Sequence, residues 1–401
     1  MEDFVKLIKE LSIVHPSREM NFDEMVKGLF EEVSQGNINV VYHPEFAHLA
    51  LFKYSQNCVT EKKWNKFTIM ARGLILDLKN KKVIATPFIK FWNCNEITNY
   101  KNFFSPESTA TEKVDGSLGI MFSFEDRWMI ATAGSFMSEQ AQWATKWMYD
   151  NMPLDKTDKI NTYLFEIIYV QNKIVVQYDF EGLVLLDIVD SFGLEYSYEQ
   201  LLVEADYLNT RCVKKYDFKD MDSILKNAKS LDRNNEGYVI QFKNGVRIKV
   251  KGDEYVRIHR LISRVTPLAI WESIMNGDDL EEVKKELPEE MEKDFELMEK
   301  LLLQKLKDFV EEVEIMYENT KDKTDKELGI YMRDFSQAFR GGKYTETPRY
   351  IFLMRKGKFY ESLEDFTSSP RRKIFNAFKP KSNVLEGYVP SSVVNRFSMS
   401  E

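Results

Sequence analysis

The sequence predicts an α+β protein in which an antiparallel-sheet domain, residues 1–253, precedes an all-α C-terminal domain, residues 254–401. Three observations predict it. Between Ile38 and Val250 the apolar residues fall in short β-branched and aromatic runs separated by polar turns. Beyond Asp253 the apolar spacing becomes helical, with Glu and Lys dense on the polar faces. The chain is 401 residues long, room for two domains of about 100 to 200 residues each.

In order, residues 1–36 read as one or two amphipathic helices, with Phe4, Leu7, Ile8 and Leu11 at helical spacing and Asn21 or Asp23 as caps before Met25, Leu29 and Phe30. Strands are expected over Asn39–Tyr42, Leu49–Tyr54, Ala71–Leu78 and Val83–Phe91, with Lys79–Lys82 as the loop between the last two. In Glu112-Lys113-Val114-Asp115-Gly116-Ser117 a lysine stands two residues before an Asp-Gly turn. The apolar alternation resumes in Leu118, Ile120 and Phe122, which puts Lys113 at the rim of a sheet, facing a cleft. Further strands are expected over Gly119–Phe124 and Trp128–Ala133, then a helix from Ser138, its cap, to Asn151. Thr162–Tyr169, Ile174–Gln177 and Gly182–Ile188 are apolar and β-branched enough for central strands. After a polar helical insert, Gly237–Phe242 and Val246–Val250 form a hairpin about Lys243-Asn244-Gly245. Helices are expected from Tyr255 to Tyr317 and from Lys326 to Phe375.

Composition narrows the function. With 43% hydrophobic and 30% charged residues the chain is globular. Cys58, Cys94 and Cys212 form no C-x-x-C pair, so neither a zinc site nor a disulfide framework is indicated, and a reducing, cytoplasmic setting is expected. No apolar run approaches the roughly 18 residues that span a bilayer, so no membrane partner is expected. A formal charge of −8 argues against indiscriminate nucleic-acid binding and leaves room for a local basic groove. Neither G-x-x-x-x-G-K-[ST] nor G-x-G-x-x-G occurs, so any ATP is held outside a P-loop or Rossmann crevice.

The alternative is a lysine-centred pocket. Arg72 enters a strand, Lys90 ends one, Glu166 interrupts the apolar run Tyr163–Ile168, and Glu236 opens Glu236-Gly237-Tyr238-Val239. Lys249 and Lys251, at i and i+2 of a strand, point to one face and can converge on one site. Two ammonium groups there would attract phosphates and depress the pKa of Lys113, which then attacks as a free amine.

These stretches, in this order, resemble the nucleotidyltransferase motifs of the covalent ligase superfamily, and within it the T4-type RNA ligase 1 family. The resemblance rests on Ala71-Arg72-Gly73, Lys90-Phe91-Trp92-Asn93, Lys113-Val114-Asp115-Gly116-Ser117-Leu118, Gly134-Ser135 with Ser138-Glu139-Gln140-Ala141, Phe165-Glu166 with Asn172–Val176, Glu236-Gly237-Tyr238-Val239, and Lys249-Val250-Lys251 with Tyr255-Val256. It implies an ATP-grasp-like ligase fold and an ATP-dependent RNA ligase that joins 5′-phosphate and 3′-hydroxyl ends. Lys113 would take AMP from ATP as a phosphoramidate, AMP would pass to the RNA 5′-phosphate, and the 3′-hydroxyl would displace it. Tyr54 and Arg72 would contact the nucleotide and its phosphates, Lys90 and Trp92 the adenosine side, and Glu166 the ribose, with Gly116 in the nucleotide pocket. Glu236 would bind or orient Mg2+ or Mn2+, and Lys249 and Lys251 would neutralise the α-phosphate and leaving group.

Duller readings stand beside some of these. Trp92 can instead be core, and Asp278-Asp279, a candidate metal site, reads equally as a helix N-terminal cluster favoured by the macrodipole. Where the family offers a basic residue before Gly134-Ser135, this chain has Ala133, so Thr132, Arg127 or another cation substitutes or the contact is absent. In the helical domain, Arg340, Lys343, Arg349, Arg355, Lys356, Lys358, Arg371, Arg372 and Lys373 interleave with Tyr344, Tyr350, Phe352, Phe359 and Phe375, a candidate RNA surface. The expected partner is a structured RNA such as a nicked tRNA, the expected state a monomer. The rival readings are a capping-type guanylyltransferase, a DNA ligase, or a nucleic-acid-binding relative with impaired catalysis.

Overall fold

Among the described residues of the first part of the chain, fourteen strands form three sheets. The structure, a computed structural model, describes residues 11–97, 99–172, 174–285, 287, 289–338, 348–380 and 385–388. The expected helix about Phe4, Leu7 and Ile8 lies outside these residues, as do Arg340, Lys343 and Tyr344 and the side chain of Arg349. Two compact units result, Met1–Ile258 and His259–Glu401.

The first sheet runs β1 (Ile38–Tyr42), β2 (Leu49–Tyr54), β3 (Arg72–Asp77), β4 (Lys82–Ala85), all antiparallel. The chain then supplies β5 (Trp92–Asn93), β6 (Thr109–Glu112), β7 (Ser117–Phe124), β8 (Arg127–Thr132), β9 (Thr162–Ile168), β10 (Gly182–Val189), β11 (Arg211–Cys212), β12 (Lys215–Tyr216), β13 (Gly237–Gln241) and β14 (Arg247–Lys251). The second sheet has the order β11-β10-β9-β7-β8 and the third β12-β6-β13-β14-β5. Both are mixed rather than purely antiparallel, because β11 pairs with β10, and β5 with β14, in parallel. Parallel neighbours need a crossover; the Tyr198–Tyr207 helix provides one between β10 and β11.

Period-2 alternation builds the layers. Ala50, Phe52, Leu74 and Leu76 of the first sheet pack on Met25 and Leu29 of the Phe22–Ser34 helix. Their neighbours Leu49, Leu51 and Ile75 face the other way, onto Ile120, Phe122, Ala131 and Leu164 of the second sheet. The second sheet then turns Met121, Ile130, Tyr163, Phe165 and Leu185 outward onto Ala144 and Met148 of the Glu139–Asn151 helix. That helix starts where expected, with Ser138 Oγ accepting from the Ala141 N–H at 3.2 Å.

Departures from the expected strands have local causes. The run Val83–Phe91 is strand only to Ala85: Pro87 lacks a donor, and the Thr86 and Lys90 N–H groups go to Thr162 Oγ1 (2.9 Å) and the Ile69 carbonyl (2.8 Å). Ile174–Gln177 is no strand, since the Val175 and Val176 N–H groups donate to the Asp115 carboxylate at 2.8 and 2.9 Å. β6, Thr-Ala-Thr-Glu, lies outside the expected strands, because its one core residue is Ala110 and it carries no apolar run.

The second unit is all helical in its described elements: Pro267–Asn276, Leu280–Lys285, Glu289–Glu318, Asp325–Ala338, Pro348–Arg355, Phe359–Glu364 and Ser369–Phe378. Its expected RNA-stacking aromatics are largely interior. Tyr350, Phe359 and Phe375 are buried in its cores, and the Trp271 indole donates to the Phe375 carbonyl at 2.8 Å. Arg371 donates to the Ile274, Met275 and Leu363 carbonyls, and Arg355 to those of Thr320, Lys321 and Lys323. Both cations thus serve the frayed carbonyl ends of helices. No described helix is long and apolar enough to cross a membrane.

A buried ionic network joins the second and third sheets. Arg247 of β14 donates to Asp187 of β10 at 2.9 Å and to Glu195 at 2.6 and 2.7 Å. A bulge between Leu185 and Asp187 turns the latter toward it. Replacing the cation strands the buried Asp187 carboxylate and the half-buried Glu195 carboxylate. Arg247→Met is therefore expected to cost about 3 to 5 kcal/mol, read as a lower midpoint in urea; an unchanged midpoint would show the network to be dispensable.

Candidate active site

The third sheet has two unlike faces. Ala110, Tyr238, Ile240, Ile248 and Val250 pack on the Met221–Lys229 helix. The residues between them, Thr111, Val239, Gln241, Arg247 and Lys249, line a cavity of about 440 Å³ whose opposite wall carries Arg72, Leu118 and Glu166. The register aligns these residues in rows: Thr109, Gln241 and Arg247 in one, Thr111, Val239 and Lys249 in the next.

Lys113 begins the following row. Its N–H donates to the Gly237 carbonyl at 2.8 Å, prolonging the β6–β13 pairing, and Gly237 in turn pairs with Lys251. At φ +144°, with any Cβ only 2.1 Å from the Val250 carbonyl oxygen, this position admits glycine alone. With no side chain between them, both lysines reach the carboxylate of Glu236, Lys113 Nζ at 2.5 Å and Lys251 Nζ at 2.9 Å. Glu236 is only 2% exposed.

The Asp-Gly turn is fixed from outside itself. Besides the two loop amides, Asp115 accepts from the Tyr255 hydroxyl at 2.7 Å, and its own N–H donates to the Tyr178 hydroxyl at 2.8 Å. The Gly116 N–H donates to Glu166 at 3.0 Å, and Ser117 Oγ to Asn172 at 2.9 Å.

Electrostatics reverse one expectation. Burial pulls the Lys113 pKa down, but the charges of Glu236 and Glu166 and the hydrogen bond to Glu236 outweigh it, so the ammonium is held above the ordinary lysine value. The Glu236 carboxylate, 2.5 Å from Lys113 Nζ, decides the sign. The depressed amine is Lys249: burial, reinforced by Lys113, Arg72, Lys90 and Lys251, brings it to about 7. No carboxylate pairs with Lys249 among the described residues. Burial pushes Glu166 up to about 7 against the pull of Lys113. For Glu236 burial acts upward, but Lys113 and Lys251 keep it below the usual range.

The structure brings Lys113, Arg72, Gly116, Glu166 and Lys249 to the cavity, with Glu236 and Lys251 attached through Lys113. Three expected residues stand elsewhere. Trp92 is 1% exposed and belongs to the core beside Ile248, its strand partner, which corrects its placement on the adenosine side. Lys90 and Tyr54 do not line the cavity; the Lys90 amine donates to the Phe91 carbonyl at 2.9 Å and lies 4.7 Å from the Trp64 ring, against which Tyr54 packs edge-on. Near Ala133, Arg127 pairs with Glu45 and Thr132 Oγ1 donates to the Ser135 carbonyl. Reasoning from sequence missed Arg247, although its i−2 spacing from Lys249 was the available signal, and it missed Glu112, whose carboxylate accepts from the Lys214 N–H at 2.9 Å at the cavity edge.

The donor sets bear on metal and nucleotide differently. Both oxygens of Glu236 are taken by lysines, and among the described residues no group of three or more His, Cys, Asp or Glu side chains is arranged to hold a metal ion. Asp279 accepts from the Glu281 and Glu282 N–H groups, the helix N-terminal role that stands beside its metal reading. A polyphosphate fits better. Arg72 Nη1 is buried without a hydrogen-bond partner, its guanidinium lies 4.7 Å from the Phe91 ring, and Lys249 lacks a counter-ion.

Glu236→Gln removes the buried charge between two half-buried ammonium groups and is expected to cost about 3 kcal/mol; an unchanged melting temperature would remove Glu236 from this role. Lys249 makes anion binding pH-dependent. Its folded pKa lies below the unfolded value, so its stability contribution grows as pH rises from about 7 to about 10.5. A bound phosphate favours the ammonium, so binding takes up a proton in that window. Affinity for inorganic pyrophosphate should fall by up to about tenfold per pH unit above pH 7, and Lys249→Met should flatten the profile; calorimetry in buffers of different ionisation enthalpy reads the proton directly.

Residues 70–255 match the family profile described as RNA ligase. A protein of Autographa californica nuclear polyhedrosis virus, named for polynucleotide kinase and RNA ligase, is 26% identical over 238 residues, which is 52% of this chain and 34% of that protein. The match thus spans about a third of the relative's length. Two forms of an archaeal ATP-dependent RNA ligase superpose with TM-scores of 0.47 and 0.48 at 10% and 11% identity, over 84% of this chain and 99% of each of theirs. The region that matches the RNA ligase profile, residues 70–255, is the one in which Lys113, Glu166, Glu236, Lys249 and Lys251 converge as described.

Proposed function

We propose that the protein is an ATP-dependent RNA ligase that seals 5′-phosphate and 3′-hydroxyl ends through a lysyl-AMP. The observation that carries this reading is the Lys113 amine at a cavity wall, hydrogen-bonded to Glu236 and faced by the unpaired cations Arg72 and Lys249.

Lys113 Nζ attacks the α-phosphorus of ATP, the N–P bond forms, and the bond to the bridging oxygen breaks with its electron pair leaving on pyrophosphate. Glu236, 2.5 Å away, receives the proton that Lys113 must lose. Lys249 becomes an ammonium as the phosphates arrive, and with Lys251 and Arg72 it neutralises the charge that develops there. Next, an oxygen of the RNA 5′-phosphate attacks the AMP phosphorus and the N–P bond breaks, returning the amine and its proton to Lys113. The 3′-hydroxyl oxygen then attacks the 5′-phosphorus, the anhydride bond to AMP breaks with its electron pair leaving on AMP, and the hydroxyl proton passes to solvent. Glu166 orients the nucleotide at the ribose. Magnesium or manganese, when bound, supplies charge neutralisation on the phosphates, and such an ion usually keeps waters and few protein ligands. A nicked structured RNA such as a tRNA is the proposed substrate.

Incubation with ATP labelled at the α-phosphate tests the reading. Label should survive denaturation, be released by pyrophosphate, and be absent in Lys113→Ala. Absence of label with ATP, or label from GTP alone, would overturn it, the second outcome in favour of a capping-type enzyme. Sealing of nicked tRNA anticodon loops, compared with unstructured RNA and DNA, reads the substrate.

A further inference from the structure

The connection between β2 and β3 is no hairpin turn: residues 55–71 hold two short helices, Gln56–Thr60 and Lys66–Met70, joined by Glu61-Lys62-Lys63-Trp64-Asn65. Lys62, Lys63 and Lys66 are exposed, and among the described residues none of them has a carboxylate partner. In a chain of formal charge −8, other exposed lysines of the first unit do pair, as Lys81 with Asp23, Lys101 with Asp222 and Lys159 with Asp126. Glu61 is the one acidic residue between Ser55 and Ala71 and makes no ion pair with the three lysines. Glu32, which holds this segment, is buried and accepts from the Asn37 and Asn65 amides. The backbone beneath the lysines is fixed. Lys62 takes φ +52°, a left-handed conformation that residues with a Cβ rarely adopt. The Lys63 N–H donates to the Cys58 carbonyl at 3.0 Å, the Lys63 carbonyl accepts from Thr68 Oγ1 at 2.9 Å, and Asn65 caps the second helix. Trp64 is turned inward, its ring 4.7 Å from the Lys90 amine and packed with that of Tyr54, the last residue of β2. The segment then leads directly into Arg72, a residue of the cavity wall.

We infer that Lys62, Lys63 and Lys66 form a docking surface for the phosphate backbone of an RNA strand whose end is presented to the cavity. This rests on the proposed function for the identity of the polyanion, while the surface itself rests on three uncompensated cations held on one fixed segment. Cations on a rigid backbone lose little freedom on binding, and contacts to phosphate position a strand without reading its sequence. A membrane surface fits less well, because it takes apolar side chains beside the lysines and Trp64 points into the protein. Since the three lysines lie outside the cavity lining, they act on the RNA and leave the attack of Lys113 on ATP untouched.

The test uses the full chain and a nicked RNA hairpin with a 5′-phosphate, its binding followed by fluorescence anisotropy over a series of salt concentrations. The triple variant Lys62→Gln, Lys63→Gln, Lys66→Gln should bind this RNA roughly 10- to 100-fold more weakly at low salt, whatever its sequence, and the slope of log K against log salt should shrink by about 2 to 3. Labelling of Lys113 by ATP should stay at the wild-type level, which also shows the variant to be folded. A control with the same change in charge, Lys79→Gln, Lys82→Gln, Lys146→Gln, removes exposed lysines without carboxylate partners elsewhere on the first unit and should keep the wild-type slope. A wild-type slope in the first variant, or an equal loss in the control, would overturn the inference. So would intact RNA binding with lost binding to phosphatidylserine vesicles, which would give the surface to a membrane. Labelling by ATP with RNA affinity indifferent to the three lysines would sink this surface and spare the ligase reading. Lysine-dependent RNA binding without labelling of Lys113 would do the reverse.

Discussion

Glu236 is the constraint on which the site depends. A carboxylate this deeply buried must be paired or neutralised, and here it is paired twice, by Lys113 at the end of β6 and by Lys251 at the end of β14. Both strands flank β13, so the two ion pairs clamp the three central strands of the third sheet at the point where the chemistry would occur. The clamp is geometrically possible because Gly237, next to Glu236, places no side chain in the row between the lysines. Stability and reactivity are thus coupled in one group: what steadies the sheet also holds Lys113 as an ammonium.

The cavity follows from the same period of two that makes the core. Each strand of the third sheet sends alternate residues to the Met221–Lys229 helix, and those are apolar; the residues between them are Thr, Gln, Arg and Lys. A sheet with one polar face needs a partner for it. The second sheet supplies one through Glu166 and through the Asp187 bulge that meets Arg247. The Arg247 network closes one end of the interval between the sheets with ion pairs of its own, which leaves the cations Lys249 and Arg72 as those without partners.

Much of this was legible in the sequence. The alternation that defines β2, β3, β7, β8, β9, β10, β13 and β14 is local, and so is the Asn-Gly hairpin between the last two, where Gly245 takes φ +79°. The convergence of Lys249 with Lys251 follows from spacing, and the Asp-Gly turn after Lys113 from residue type. What could not be read there is non-local. Val175 and Val176 look like strand residues until Asp115, sixty positions earlier, captures their amides. Trp92 reads as a binding residue until β5 pairs with β14 and turns it into the core. Arg371 and Tyr350 read as a nucleic-acid surface until helix ends and cores claim them.

The sign of the Lys113 shift is the most instructive of these differences. From spacing, two cations near a third predict a depressed pKa, and the argument is sound for charges alone. It fails here because Coulomb energy falls with distance and the Glu236 carboxylate lies 2.5 Å from Lys113. The depression predicted for Lys113 is displaced onto Lys249, the lysine of the group that no carboxylate reaches. Division of labour follows from that asymmetry. The amine that would bond to phosphorus is kept charged and positioned by Glu236 until it reacts, whereas Lys249, brought to about 7, completes its charge when an anion arrives beside it.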